Sequence, residues 1–377
     1  LRAGLPLVVV VLVGWAGAAH AYPQFQLSMG ERRCSACHYA PAGGGLINGF
    51  GREEAGDSIS AGGDGHFLHG LWQPPSWLAL GADVRVAALA TDEGARTGVD
   101  TALFPMQADL YLRVGEPGGG FSASATVGFR GATRPVDNSL ASRLISREHY
   151  LMWREGATGF YARAGRFFAP YGLRLPEHTA YVRRFLGFDT LEETYGLSGG
   201  YVSDEWELHA TAFVPDFVRD AAGTRGAGAA ALFERREGEA AAWGAQARVA
   251  VGDEDDRVMG GLTGKLFFDG PRLQLLAELD LVRQGFRRLS TSRAQLAAYL
   301  GAAWFPARGF LVQLMLERWD EDLGVAGVAR DAAGVELQWF PTAHVEVGLY
   351  GRAQLIGSGA SDGSASELVL LQLHYYL

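Results

Sequence analysis

From Trp77 to the end of the chain, apolar and polar positions alternate with a period of two. In "WLALGADVRVA", Leu78, Leu80, Ala82, Val84 and Val86 share one face, and Asp83 and Arg85 share the other. "QADLYLRV" sets Leu110, Leu112 and Val114 against Asp109, Tyr111 and Arg113. "RLQLLAELDL" sets Leu275, Leu279 and Leu281 against Gln274, Glu278 and Asp280. Successive strand residues point to opposite faces, so this pattern predicts strands with one apolar and one polar surface. Turn sequences such as "GEPGGG", "GDEDDR" and "FDGP" separate them.

Strand-length segments of this kind are the mark of a transmembrane β-barrel, whose apolar face meets lipid and whose polar face lines a lumen. The expected fold class is all-β, an antiparallel transmembrane barrel of about 16 strands, an even number as single-chain bacterial barrels have. Expected starts are Trp77, Gln107, Phe121, His149, Gly159, Tyr195, Glu205, Ala229, Ala240, Val258, Arg272, Gln295, Gly309, Val335, His344 and Glu367. A soluble sandwich or propeller would alternate too. Aromatic clusters near strand ends ("AAWFPARGF", "LQWFP", "HYYL") favour the membrane, where they form interfacial girdles. The last stretch, "ELVLLQLHYYL", is similar to terminal strands of outer-membrane barrels, although it finishes with Leu377 after two tyrosines rather than with Phe or Trp.

The front of the chain reads differently. Residues 1–21 have a short basic start, an apolar run and an A-x-A exit before Tyr22, which predicts a secretory signal. Residues 22–76 then form a short segment and linker ahead of the barrel at 77–377. The chain carries a net charge of −9, Lys is nearly absent, and nucleic acid is not an expected partner.

Both cysteines lie in Cys34-Ser35-Ala36-Cys37-His38. C-x-x-C-H is the attachment signature of c-type haem. Two thiols one helical turn apart can reach two vinyl groups, and His38 then meets the iron as proximal ligand. One covalent haem c with its iron is therefore the expected cofactor. A zinc half-site would need a second ligand pair, and no second C-x-x-C exists. A thioredoxin-like pair would need a βαβ setting. The distal ligand stays open between His66 or His69 in "GDGHFLHG", Met29 upstream, and no protein ligand at all.

"CSACHYAPAGGGLINGFGR" resembles a segment of bacterial outer-membrane proteins that join a short N-terminal haem c region to a porin-like barrel. The residues carrying the resemblance are Cys34, Cys37, His38, Pro41, Gly43, Gly44, Gly45, Asn48, Gly49 and Gly51. It implies a monohaem cytochrome c-like segment on the periplasmic side of the outer membrane or in the lumen.

The predicted inward faces carry charges of both signs, which most simply means a hydrated or salt-bridged lumen. In "FYARAGRFFAPYGLRLPEHTAYVRRF", Arg163, Arg166, Arg174, Arg183 and Arg184 crowd together. "GRFFAPYGL" is similar to a strand-to-loop segment of anion-selective porins, particularly the phosphate-selective group. A loop folded into the channel could set an arginine constriction there.

The first functional expectation is electron transfer at or across the outer membrane, with multihaem cytochromes as partners beside the lipid bilayer. The alternative is a porin-type channel for small anions such as phosphate, in which haem is structural or a redox gate. A haem enzyme with an open iron site is a third reading. No G-x-S-x-G, H-E-x-x-H or P-loop occurs, so a carrier or channel is expected rather than an enzyme.

Overall fold

The computed structural model describes residues 23–92, 98–130, 143–216, 226–357 and 364–377. The expected signal, residues 1–21, lies outside the described residues. The strands are β1 (Leu78–Asp92), β2 (Asp100–Gly115), β3 (Gly120–Arg130), β4 (Leu144–Ile145), β5 (His149–Arg154), β6 (Gly159–Phe167), β7 (Thr194–Val202), β8 (Trp206–Val214) and β9 (Ala227–Glu237). They continue as β10 (Ala241–Val251), β11 (Asp255–Phe268), β12 (Leu273–Phe286), β13 (Thr291–Ala307), β14 (Phe310–Asp320), β15 (Arg330–Thr342), β16 (Val345–Ile356) and β17 (Ser364–Tyr376).

Successive strands pair antiparallel, and β17 returns to β1 in a register running from Asp83 opposite Tyr376 to Asp92 opposite Glu367. The sheet is thus a closed barrel without an edge. The short β4 and the longer β5 both pair with β3 and make one stave, so seventeen strands form sixteen staves.

Burial runs opposite to that of a soluble protein. Leu110 is 65% exposed and its neighbour Asp109 only 1%. Leu279 is 48% exposed between Glu278 and Asp280, both buried. The apolar face points outward and the polar face inward, as the alternation predicts. Most expected starts fall within a few residues of the observed ones. The largest departure is β2, which begins at Asp100 rather than Gln107. Pro105 looks like a stop because it cannot donate to a ladder. Here it sits at a bulge: Arg85 pairs with Gln107 and Val86 with Pro105, which skips Met106. Strand β15 likewise begins at Arg330, ahead of the expected Val335.

Two insertions fill the lumen from opposite ends. Residues 23–77 enter at the end of the short turns. There Ala61 N donates to Phe340 O at 2.8 Å, Gly309 N to Ile59 O at 2.9 Å, and Ala343 N to Gly62 O at 2.7 Å. Helix α1 (Pro23–Ser28) buries Phe25 against Phe305 and Phe340 of the wall. The N-terminal part of the segment expected at the periplasmic mouth or in the lumen is therefore a plug within the barrel.

The second insertion is the loop 168–193 between β6 and β7, which folds inward from the opposite end. Its Tyr171, Leu173, Leu175, Tyr181 and Leu186 pack on Leu276, Tyr299, Met315 and Trp319 of the wall. Backbone groups of the loop satisfy wall carboxylates: Leu173 N donates to Glu278 at 2.7 Å and Tyr181 N to Glu317 at 2.5 Å. Arg352 completes the Glu317 site at 2.9 Å.

Candidate functional site

The plug and the inward loop meet across a cavity of about 300 Å³. Its plug wall carries Cys34, Cys37, His38 and Met29, and its loop wall carries Tyr171, Leu173, Arg174 and Phe188.

Local sequence builds the plug wall. Cys34–Cys37 form one helical turn, α2, and the chain leaves it extended at His38, whose N–H donates to Cys34 O at 3.1 Å. His38 then bridges to Ile47. Asn48 holds the turn from outside: its side chain donates to Ala36 O at 2.7 Å and accepts from Gly51 N at 2.9 Å, capping helix α3 (Gly49–Glu54). An Asn at that position satisfies a helix-start N–H and ties two elements together.

The glycines are fitted to this turn. Gly43 has φ +80°, and a Cβ there would sit 2.9 Å from Cys34 Cβ. A Cβ on Gly51 would lie 2.4 Å from Cys37 O. No larger residue could occupy either position with the turn in place.

Cys34 and Cys37 are not joined in a disulfide. Burial pushes both thiols up, Cys37 to about 12 with Glu31, Cys34 and Glu54 adding to the effect. Redox-active or metal-binding thiols sit instead where their pKa is lowered. His38 is only 2% exposed.

The candidate distal ligands separate by place. Met29 lies in the cavity wall with His38. His66 and His69 are exposed on the plug's outer side, and neither lines the cavity. They meet the wall instead: the His344 ring reaches His66 O at 2.9 Å and packs on the His69 ring at 4.6 Å.

The crowded arginines also separate. Arg174, with φ +61°, reaches across the lumen to Ala42 O of the plug at 2.7 Å and to Glu207 of β8 at 3.2 Å. Arg183 is spent on loop carbonyls, those of Leu175 at 2.6 Å and Phe188 at 2.8 Å. Arg166 is buried against Glu193 at 3.0 Å and Asp216 at 3.2 Å. Arg184 is exposed and outside the cavity. Arg163 faces the cavity. The five do not form one constriction ring, because three of them tie the loop to itself, to the plug and to the wall.

Sequence reasoning misses the link between Gln26 and Lys265. The Gln26 side chain donates to Glu234 at 2.9 Å and accepts from Lys265 at 2.7 Å, which fixes α1 to β9 and β11. The signal was compositional: Lys265 is the chain's one lysine.

No protein-family model matches the chain, and no curated protein matches it in sequence. Solved structures do match in shape. An anion-selective porin from Comamonas acidovorans superposes with a TM-score of 0.63 at 13% identity, over 80% of this chain and 99% of that one. Pseudomonas putida OprB gives 0.61 at 9% identity, over 80% and 94%. OmpT of Vibrio cholerae gives 0.60 at 10% identity, over 81% and 99%. The likeness is one of fold, at identities too low to carry function. The chain has the fold of the outer-membrane porins.

Proposed function

We propose that the protein is a porin-type barrel of the outer membrane that holds one covalent c-type haem in its lumen. The porin half has the broader support, since the solved structures alike in fold include an anion-selective porin. The haem half rests on one observation: both thiols of C-x-x-C-H, His38 and Met29 line a single cavity inside that barrel. The residues fit the group. Gly43 and Gly51 leave room at the turn, both half-buried thiols line the cavity, and Met29 shares the wall with His38. Cys34 and Cys37 would tether the macrocycle and His38 would ligate its iron, with Met29 the distal candidate that the cavity favours.

The haem supplies a one-electron couple when bound. The chain's own contribution is to bury that couple, exclude water with the loop 168–193, and fix the plug to the wall. We infer a carrier role in electron transfer at or across the outer membrane. Short turns face the periplasm in such barrels, so the plug would present its outer side there. One site cannot cross the hydrocarbon layer unaided, so the reading requires further carriers, such as multihaem cytochromes, at the barrel mouths. We do not read it as an enzyme.

The second reading is a channel for small anions with the haem as gate or staple, and the porin likeness favours it. Haem staining of purified outer membrane tests the first: wild type should show a covalent band, and Cys34→Ala should abolish it. An unstained wild type would overturn the haem reading. Planar-bilayer conductance tests the second: a wild type that passes no ions, with conductance appearing when residues 23–77 are deleted, would leave the plug as a seal and remove the channel.

A further inference from the structure

Five arginines line the cavity among the described residues: Arg33, Arg147, Arg163, Arg174 and Arg183. Four of them hold ion pairs or short hydrogen bonds. Arg33 meets Asp204 at 2.9 Å, Arg147 meets Asp109 at 2.7 Å, Arg174 meets Glu207, and Arg183 meets loop carbonyls. Arg163 does not. It is 4% exposed, and its one polar contact is a long 3.4 Å hydrogen bond to Phe168 O. Its Nε is buried without a partner. Aromatic faces support it, Phe167 at 3.8 Å and Tyr150 at 5.4 Å. Cation–π contacts offset only part of the cost of removing a guanidinium from water. The carboxyls that share the cavity are Glu31, Glu54, Glu148, Glu193 and Glu278. None of them forms an ion pair with Arg163: Glu193 is held by Arg166, Glu278 accepts from Leu173 N, and Glu148 feels the Arg163 charge without a contact to it.

We propose that Arg163 is the anion-receiving group of the cavity and takes a carboxylate or similar oxyanion of the molecule bound there. A guanidinium fork matches such a group with two parallel hydrogen bonds, and at a buried site these are strong. The inference rests on the cavity having an occupant. Two sources share the chemistry: a propionate of the tethered haem, or a free small anion.

The experiment compares wild type, Arg163→Gln and Arg163→Lys, each purified in detergent and checked for barrel folding by heat-modifiable gel migration. Covalent haem is measured by staining, the reduction midpoint by spectroelectrochemistry, and anion binding by titration with inorganic phosphate. If a propionate is the partner, Arg163→Gln keeps the covalent haem, and its reduction equilibrium shifts by about tenfold or more. Arg163→Lys then shifts less, and phosphate changes nothing in any of the three. If a free anion is the partner, wild type binds phosphate saturably and Arg163→Gln does not. The proposal is overturned if Arg163→Gln folds, retains the wild-type midpoint and binds phosphate no more weakly than wild type. An unstained wild type would sink the haem reading alone, and the phosphate titration would still decide for or against Arg163.

Discussion

Lys265 Nζ donates to Gln26 Oε1 at 2.7 Å across 239 positions of sequence. The same ammonium bonds Glu234, and both side chains are almost fully buried. A compact charge with three donors can hold a plug residue and a wall carboxylate at once. Replacing it with Met leaves Glu234 with fewer partners in the lumen, and losing one partner of a buried pair costs about 3–5 kcal/mol. Arg236 still reaches Glu234 at 3.3 Å, so the lower end is expected. As the chain's one lysine, Lys265 is also a reporter. An amine-reactive reagent should leave it unmodified in the folded protein and modify it on unfolding, read by mass spectrometry.

Gly43 and Gly44 share φ +80° but differ in surroundings. A side chain at either is strained by about 1–3 kcal/mol. Only at Gly43 would the new Cβ also strike Cys34, since nothing lies within 4 Å at Gly44. Gly43→Ala should therefore lose most covalent haem staining, while Gly44→Ala should keep it and lower only the melting temperature. Equal staining of the two variants would show that the contact with Cys34 is unimportant.

Leu279 stands on the outer face of β12 between two inward carboxylates. An arginine there would face hydrocarbon, at a cost of about 2–4 kcal/mol near the midplane. Urea titration of folding into lipid vesicles should show that loss for Leu279→Arg. Arginine at Arg288 shows the contrast in the native chain, since that side chain is exposed in the loop beyond β12.

Glu177 lies in the inward loop, and burial pushes its carboxyl up to about 7, with Arg183 opposing and Glu317 and Glu346 adding. A raised carboxyl favours the neutral form in the folded state. Its contribution is present in full below the ordinary value of 4.5 and is lost as pH rises through about 7. Glu177→Gln should melt with wild type at pH 4 and above it at pH 8. A gap that shrinks with rising pH would show that the loop does not hold Glu177 neutral.

The barrel is legible because a strand's period of two is a local property. Each segment, such as "RLQLLAELDL", declares its lipid face without reference to its neighbours. The C-x-x-C-H turn is legible for the same reason, since Cys34, Cys37 and His38 are close together in sequence. The early start of β2 was not legible because a proline's penalty depends on which partner it faces, and Pro105 faces a bulge.

The destination of the polar faces was not legible. Whether Arg163, Arg166, Arg174, Arg183 and Arg184 form a ring or separate struts depends on partners far along the chain: Ala42, Glu207, Glu193 and Asp216. The same holds for Met29 entering the cavity wall while His66 and His69 stay outside it. Alternation and motif spacing are written in neighbouring residues, so sequence alone names the barrel and marks the C-x-x-C-H turn. The filling of the lumen comes from contacts between positions hundreds of residues apart, which exist only once the sheet has closed around the plug.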